Sequence, residues 1–388
     1  MTFFYADDSI NQTQNLQEDN FVALHIGFIG LGLIGGSIAK SLKGVHPDYI
    51  ITAYNRYYPD DNPSLLLANE EKVVDNIVGS LKDLYVCDII FLCAPVLKNI
   101  SYLKELKEII KDDCIITDVG SVKSNTHSAV SELNLDSNFI GGHPMTGSER
   151  TGYANSSARI MENAYYLLTP ADNTPKHMTE TMVSLVSDIG SIPYVLDYGE
   201  HDQITAAISH LPHIIAASLV NMVKENDGKD EHMKTFAAGG FKDITRIASS
   251  SPEMWQNICL SNPDNIRHFL DIYRDSLTKV EDALLNGDRD FLYNTFETAR
   301  DYRNSIPNSG KGTLPKVYEI YIDVPDVPGI IAIIATILSS NSVSIKNIGI
   351  VHNREFEDGV LRIEFYDENA MNSARSALQQ YPYSVYDR

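Results

Sequence analysis

Between residues 21 and 197 the chain alternates short apolar runs with amphipathic segments. The runs at 23–29, 50–54, 89–93, 115–118, 139–140, 165–168 and 193–196 predict strands, and segments such as 101–110 predict helices between several of them. This alternation predicts an α/β fold around a mostly parallel, doubly wound sheet, with ligand sites at the carboxyl ends of the strands. At Glu200 the pattern changes. From there to 306 no strand-like run appears, and helices are predicted over 201–224, 243–248, 252–260, 265–285 and 289–305. Ser251-Pro252 reads as an N-cap followed by proline at the first helical position. Long apolar helices with little to cover them predict an all-helical domain that forms a homodimer.

Asn308-Ser309-Gly310-Lys311-Gly312 reads as a flexible linker. Beyond it, strands are predicted at 317–324, 344–351, 360–365 and 383–386, and helices at 329–341 and 370–380, in the order βαββαβ. The predicted organisation is an extension over 1–20, an α/β domain over 21–198, a helical domain over 199–307, a linker over 308–315 and a small α/β domain over 316–388.

Composition narrows the function. A formal charge of -21 over 388 residues argues against a nucleic-acid partner, because phosphate binding needs dense Lys and Arg. An acidic protein that binds an anion must concentrate its few cations at the site. Cys87, Cys93, Cys114 and Cys259 show no CxxC spacing and read as small buried hydrophobes of a reducing compartment. The first 20 residues are polar and acidic, unlike a signal peptide, and no apolar stretch reads as long enough to cross a bilayer. A cytoplasmic protein with no membrane partner is the expectation.

Gly30-Leu31-Gly32-Leu33-Ile34-Gly35 follows the first strand and opens a helix. In that context it is a Rossmann-type dinucleotide turn: glycines permit a tight bend and close backbone approach to a pyrophosphate on the helix N-terminus. Asn55 stands where a carboxylate usually bonds the adenosine ribose. Asn still bonds a ribose diol but does not repel a 2′-phosphate, and Arg56 suits one; NAD is the expected cofactor, with NADP left open. Ala94-Pro95 ends the third predicted strand, where small residues let a nicotinamide ribose approach.

Two further strand ends carry Asp118-Val119-Gly120-Ser121-Val122-Lys123 and Gly141-Gly142-His143-Pro144. A histidine held between Gly-Gly and Pro at the ligand edge suits a base for an alcohol being oxidised, with the glycines giving access. In Ser209-His210-Leu211-Pro212-His213 the two histidines share a helix face, and Pro212 is expected to bend it. No third ligand accompanies them, and no metal is predicted. Lys242 and Arg246, four apart on one predicted helix, supply local positive charge, and Arg can clamp a carboxylate bidentately.

Taken in order, GLGLIGGS, TDVGSVK, GGHPMTGSE, SHLPHI and FKDITRIASSSPEMW resemble the prephenate/arogenate dehydrogenase family over about 21–307. The resemblance implies a Rossmann-type domain, a helical dimerisation domain, and oxidative decarboxylation of prephenate with NAD towards tyrosine. It implies that His143 accepts the proton of the ring hydroxyl, that Ser121 places that hydroxyl, and that Arg246 binds a substrate carboxylate. Glu149, His213, Lys242 and Trp255 match pocket positions. Whether the substrate carries the keto group of prephenate or the amino group of arogenate stays open. Val324-Pro325-Asp326-Val327-Pro328-Gly329, with the βαββαβ order, resembles an ACT (ferredoxin-like) domain. That resemblance implies an amino-acid pocket involving Asp326, Gly329 and Asn347, with tyrosine as feedback effector.

Overall fold

The computed structural model describes residues 23–54, 62–147, 150–306, 318–325, 327–351 and 359–386. The expected N-terminal extension and linker, and Asn55, Arg56, Glu149 and Asp326, lie outside the described residues. The chain divides into two compact units, Met1–Asn304 and Ser305–Arg388.

The first unit is built on eight strands: β1 (His25–Ile29), β2 (Ile50–Tyr54), β3 (Asn76–Val78), β4 (Ile89–Leu92), β5 (Ile115–Asp118), β6 (Phe139–Pro144), β7 (Tyr165–Pro170) and β8 (Ile192–Val195). Their order in the sheet is β3-β2-β1-β4-β5-β6-β7-β8, and every neighbouring pair is parallel except β6–β7. Alternation along β4 explains the continuous apolar run. Ile89 and Phe91 join one core cluster and Ile90 and Leu92 the other, so both faces are covered by helices. Strand order reverses between β1 and β4, which opens a crevice at their carboxyl ends. The edge strand β3 was not foreseen. Its three residues, Asn-Ile-Val, are too short to show a period.

The helical segment departs from expectation in two ways. The run over 198–226 is an α-helix Tyr198–Thr205, a π-helical turn Ala206–His210 and a second α-helix Leu211–Asn226. Pro212 follows this turn within one continuous helical run and offers no N–H to the Ile208 carbonyl, which lies inside the irregular segment, so the helix is disturbed beside the proline as expected. Lys242 and Arg246 do not share one α-helix: the helix Gly239–Thr245 ends before Arg246, which begins a 3-10 turn to Ser249. Ser251 does cap the helix Pro252–Ser261, accepting from the Met254 amide at 3.4 Å.

The expectation about apolar length is also corrected. Tyr198–Asn226 runs 29 residues with a mean hydropathy of 1.4 in its most apolar window, long and apolar enough to cross a bilayer, and 17% of that window is buried within the chain. The helices Pro263–Asn286 and Arg289–Ser305 leave Leu285 79% and Phe296 75% exposed. These helices carry apolar surface that the single chain does not cover.

The second unit has β9 (Tyr318–Val324), β10 (Asn347–Val351), β11 (Gly359–Phe365) and β12 (Ser384–Tyr386), with helices Ile330–Ser340 after β9 and Glu368–Leu378 after β11. The antiparallel order β10-β11-β9-β12 is ferredoxin-like. Ile320, Ile322, Leu361 and Ile363 of the sheet pack on Ile334, Leu338 and Leu378 of the helices.

Candidate active site

The glycine turn lies at the crevice between β1 and β4. Gly30 has φ +93°, which disfavours any side chain, and a Cβ there would stand 3.0 Å from the Cys93 carbonyl carbon. A Cβ on Gly35 would stand 2.7 Å from the Gly30 oxygen and 3.1 Å from the Cys93 Cβ, so the helix can seat on the strand only with glycine. A Cβ on Gly32 would meet nothing within 4 Å. Gly32 opens the helix Leu33–Val45 without a side-chain cap, and that first turn includes Ile34 and Gly35. The motif thus packs Gly30 and Gly35 against the Cys93-Ala94 segment and leaves open the end where a pyrophosphate would be cradled. Pro95 follows as the N-cap of the helix Val96–Leu106. Burial pushes the Cys87 and Cys114 thiols up to about 12, so these cysteines are protonated core residues.

His143 is half-buried near the end of β6, opposite Leu167 of β7. The glycines before it serve packing rather than access. A Cβ on Gly142 would stand 2.5 Å from the Asp118 carbonyl oxygen, and one on Gly141 would strike the Thr169 hydroxyl. Their absence of side chains lets the loop after β5 close onto β6. Lys123, fully buried, donates to Asp118 Oδ1 at 2.5 Å and to the Gly142 carbonyl at 2.6 Å. The Gly142 amide in turn donates to Asp118 Oδ1 at 3.1 Å. Ser121 lies on this same loop, half-buried.

Behind His143 stands a pair the sequence reading did not single out. His143 Nδ1 lies 2.8 Å from His201 Nε2, and His201 Nδ1 lies 2.8 Å from Asp202 Oδ1. Burial, followed by the charges of His201, Lys123 and His210, holds the His143 pKa well below the ordinary histidine value. The imidazole is therefore neutral at neutral pH, as a base must be.

The helical segment supplies the rest. His213 stacks on Trp255 with ring centroids 3.7 Å apart, and its Nδ1 donates to the Ser209 carbonyl at 2.9 Å. Burial and the nearby Arg246 charge lower the His213 pKa, so Arg246 and His213 are neighbours. His210 packs edge-on against the same Trp255, at 6.1 Å, and acts electrostatically on His143. His210, His213 and Trp255 thus form one aromatic group in the helical segment. His210 Nε2 and Trp255 Nε1 are buried with no hydrogen-bond partner among the described residues, which suits groups awaiting a ligand. Lys242 is exposed on its helix. His201 and Asp202 escaped the sequence reading because no motif spacing marks them, and His210 was singled out only as sharing a helix face with His213; the π-helical turn, a frequent companion of functional sites, is visible only in three dimensions.

Comparison with known proteins identifies similar chains. The profile described as prephenate dehydrogenase, nucleotide-binding domain, matches residues 38–194, and the one described as prephenate dehydrogenase, dimerization domain, matches 197–298. A prephenate dehydrogenase of Bacillus subtilis (strain 168) is 37% identical over 352 residues, 90% of this chain and 94% of its own. The crystal structure of a prephenate dehydrogenase from A. aeolicus, in complex with hydroxyphenyl propionate and NAD+, has a TM-score of 0.69 at 28% identity, covering 74% of this chain and 100% of that one. A Synechocystis arogenate dehydrogenase has a TM-score of 0.65 at 28% identity, over 73% of this chain and 100% of its own. On its two domains, its glycine turn and its full-length similarity, the chain belongs to the prephenate dehydrogenase family.

Proposed function

We propose that this protein oxidatively decarboxylates prephenate to 4-hydroxyphenylpyruvate, with NAD as hydride acceptor. The observation that carries the reading is a neutral, half-buried His143 at the sheet's ligand edge, linked through His210 and Trp255 to His213 and Arg246. Gly30, Gly32, Leu33, Ile34, Gly35, Ala94 and Pro95 would hold the dinucleotide, and bound NAD supplies the acceptor for the hydride of the ring carbinol. His143 takes the proton of the ring hydroxyl, which raises electron density on the carbon that loses hydride. Ser121 orients that hydroxyl. Arg246 pairs with a substrate carboxylate, offsetting the cost of moving a dianion out of water. Lys242, His213 and Trp255, with Glu149, shape and charge the pocket. Initial rates with prephenate and arogenate, each with NAD and NADP, test the reading. Prephenate with NAD is expected to be turned over fastest; turnover of arogenate alone would replace the substrate assignment.

The exposed apolar face of the helical segment supports a cytoplasmic homodimer rather than a membrane span, because the dimerization-domain profile covers the same residues. The second unit supports an ACT-type regulatory role with tyrosine as effector. Its βαββαβ order has Gly329, at φ +91°, in the turn before the helix Ile330–Ser340, and Asn347 at the start of β10. The match to the Bacillus subtilis relative is too long to fit in the first unit alone, so the relative shares sequence with the second.

A further inference from the structure

Two hydrogen bonds lead inward from His143 to a carboxylate that the backbone holds in place. Asp202 Oδ1 accepts from the Lys123 amide at 2.8 Å, and Asp202 Oδ2 accepts from the Ser124 amide at 2.8 Å. Burial alone would raise the Asp202 pKa, but the bonds from His201, Ser124 and Lys123 hold it below the usual carboxylate value. The group is ionised and can only accept. His201 Nδ1, 2.8 Å from that carboxylate, therefore carries a hydrogen. Burial keeps His201 neutral against the opposing pull of Asp202, which leaves a lone pair on Nε2. A nitrogen with a lone pair needs a donor, so His143 Nδ1, 2.8 Å away, must bear hydrogen. Neutral His143 then has its lone pair on Nε2, the atom not committed to His201.

We propose that His201 and Asp202 are positioning residues that fix His143 in the tautomer with a bare Nε2 and steady the imidazolium formed when it takes a proton. The inference rests on the role of His143 given above. In the step concerned, the substrate O–H bond breaks, its electron pair stays on oxygen, and the proton bonds to His143 Nε2. Among the described residues, the charged and titratable groups around the ring are few. His201 and Asp202 come from the helix Tyr198–Thr205, His210 from the π-helical turn, and Lys123 with its partner Asp118 from the end of β5 and the loop after it. Of these, the Asp202–His201 pair is the one hydrogen-bonded to the imidazole.

The test uses the full-length chain and four variants: Asp202→Asn, His201→Leu, His201→Gln and His143→Asn. In Asp202→Asn the side chain is neutral and its NH2 must meet either the Lys123 or the Ser124 amide, so the backbone hold is broken and no ionised acceptor remains for His201 Nδ1. Asp202→Asn and His201→Leu are expected to lower kcat by about 100-fold, within the range of a positioned base, while KM for prephenate changes little. The acid limb of kcat/KM should move to lower pH in Asp202→Asn, because the carboxylate no longer stabilises the imidazolium. His201→Gln, which retains a carbonyl acceptor, should recover about 10-fold over His201→Leu. Imidazole nitrogen NMR of the wild type should find His143 and His201 both protonated on Nδ1, a readout independent of turnover. Protonation of His143 on Nε2 in the wild type overturns the proposal. So does near wild-type kcat in Asp202→Asn and His201→Leu when His143→Asn is inactive. A wild type inert towards prephenate but with the expected tautomers would sink the substrate assignment and leave the relay standing.

Discussion

Burial and neighbouring cations extend the pH range over which a histidine stays neutral and can accept a proton, and His143 has both. His143→Asn is expected to cut kcat by about 10²–10⁴-fold with little change in binding, checked by steady-state kinetics. The wild-type acid limb of kcat/KM should accordingly lie below the ordinary histidine pKa of about 6.5. Arg246 has a different kind of role. As proposed above, its charge pairs with the ground-state substrate, so Arg246→Ala should chiefly raise KM for prephenate, and an unchanged KM would remove it from the pocket. Lys123 is a third case. It is fully buried against Asp118, so Lys123→Met leaves a carboxylate without its counter-charge and should cost about 3–5 kcal/mol in denaturant unfolding.

At the scale of elements, β6 depends on the two glycines before His143. Gly142→Ala would press a methyl into the Asp118 carbonyl, a backbone atom that cannot move without shifting β5. Overpacking of this kind costs about 1–3 kcal/mol, and kcat should fall with stability because the strand that carries the proposed base is displaced. The buried histidines have a collective consequence. Burial lowers His127 and His210 to about 4, and His143 and His201 also lie below their ordinary value. Below about pH 6.5 the unfolded chain binds protons at these sites while the folded chain resists them, so stability is full above that pH and is lost towards pH 4. A melting temperature that falls steeply between pH 6.5 and 4, measured calorimetrically, is the expected outcome.

For the whole molecule, the uncovered helices and the second unit each carry a prediction. Burying side chains such as Leu285 and Phe296 against a second copy is worth about 1.5–3 kcal/mol each, so sedimentation at micromolar concentration should find a dimer. If tyrosine acts through the second unit as proposed, deleting residues 316–388 should abolish its inhibition and spare catalysis. Retained inhibition in that truncation would locate the tyrosine site in the first unit.

What the sequence determined by itself was whatever chemistry writes into neighbouring residues. Strand and helix periods, the glycine turn at Gly30–Gly35, the Ser251 cap and the βαββαβ order are local, because hydrogen bonding and side-chain alternation repeat over a few positions. His143 was legible because the Gly-Gly-His-Pro stretch stands at a strand end, although the glycines proved to serve packing. The edge strand β3, the π-helical turn and the end of the helix before Arg246 were not legible, since long-range packing overrides weak local preference there. Only the tertiary structure decided that His201 and Asp202, 58 residues or more beyond His143, stand behind it. Hydrogen bonds across such separations depend on how the helix Tyr198–Thr205 lies against the end of β6, and no spacing along the chain records that.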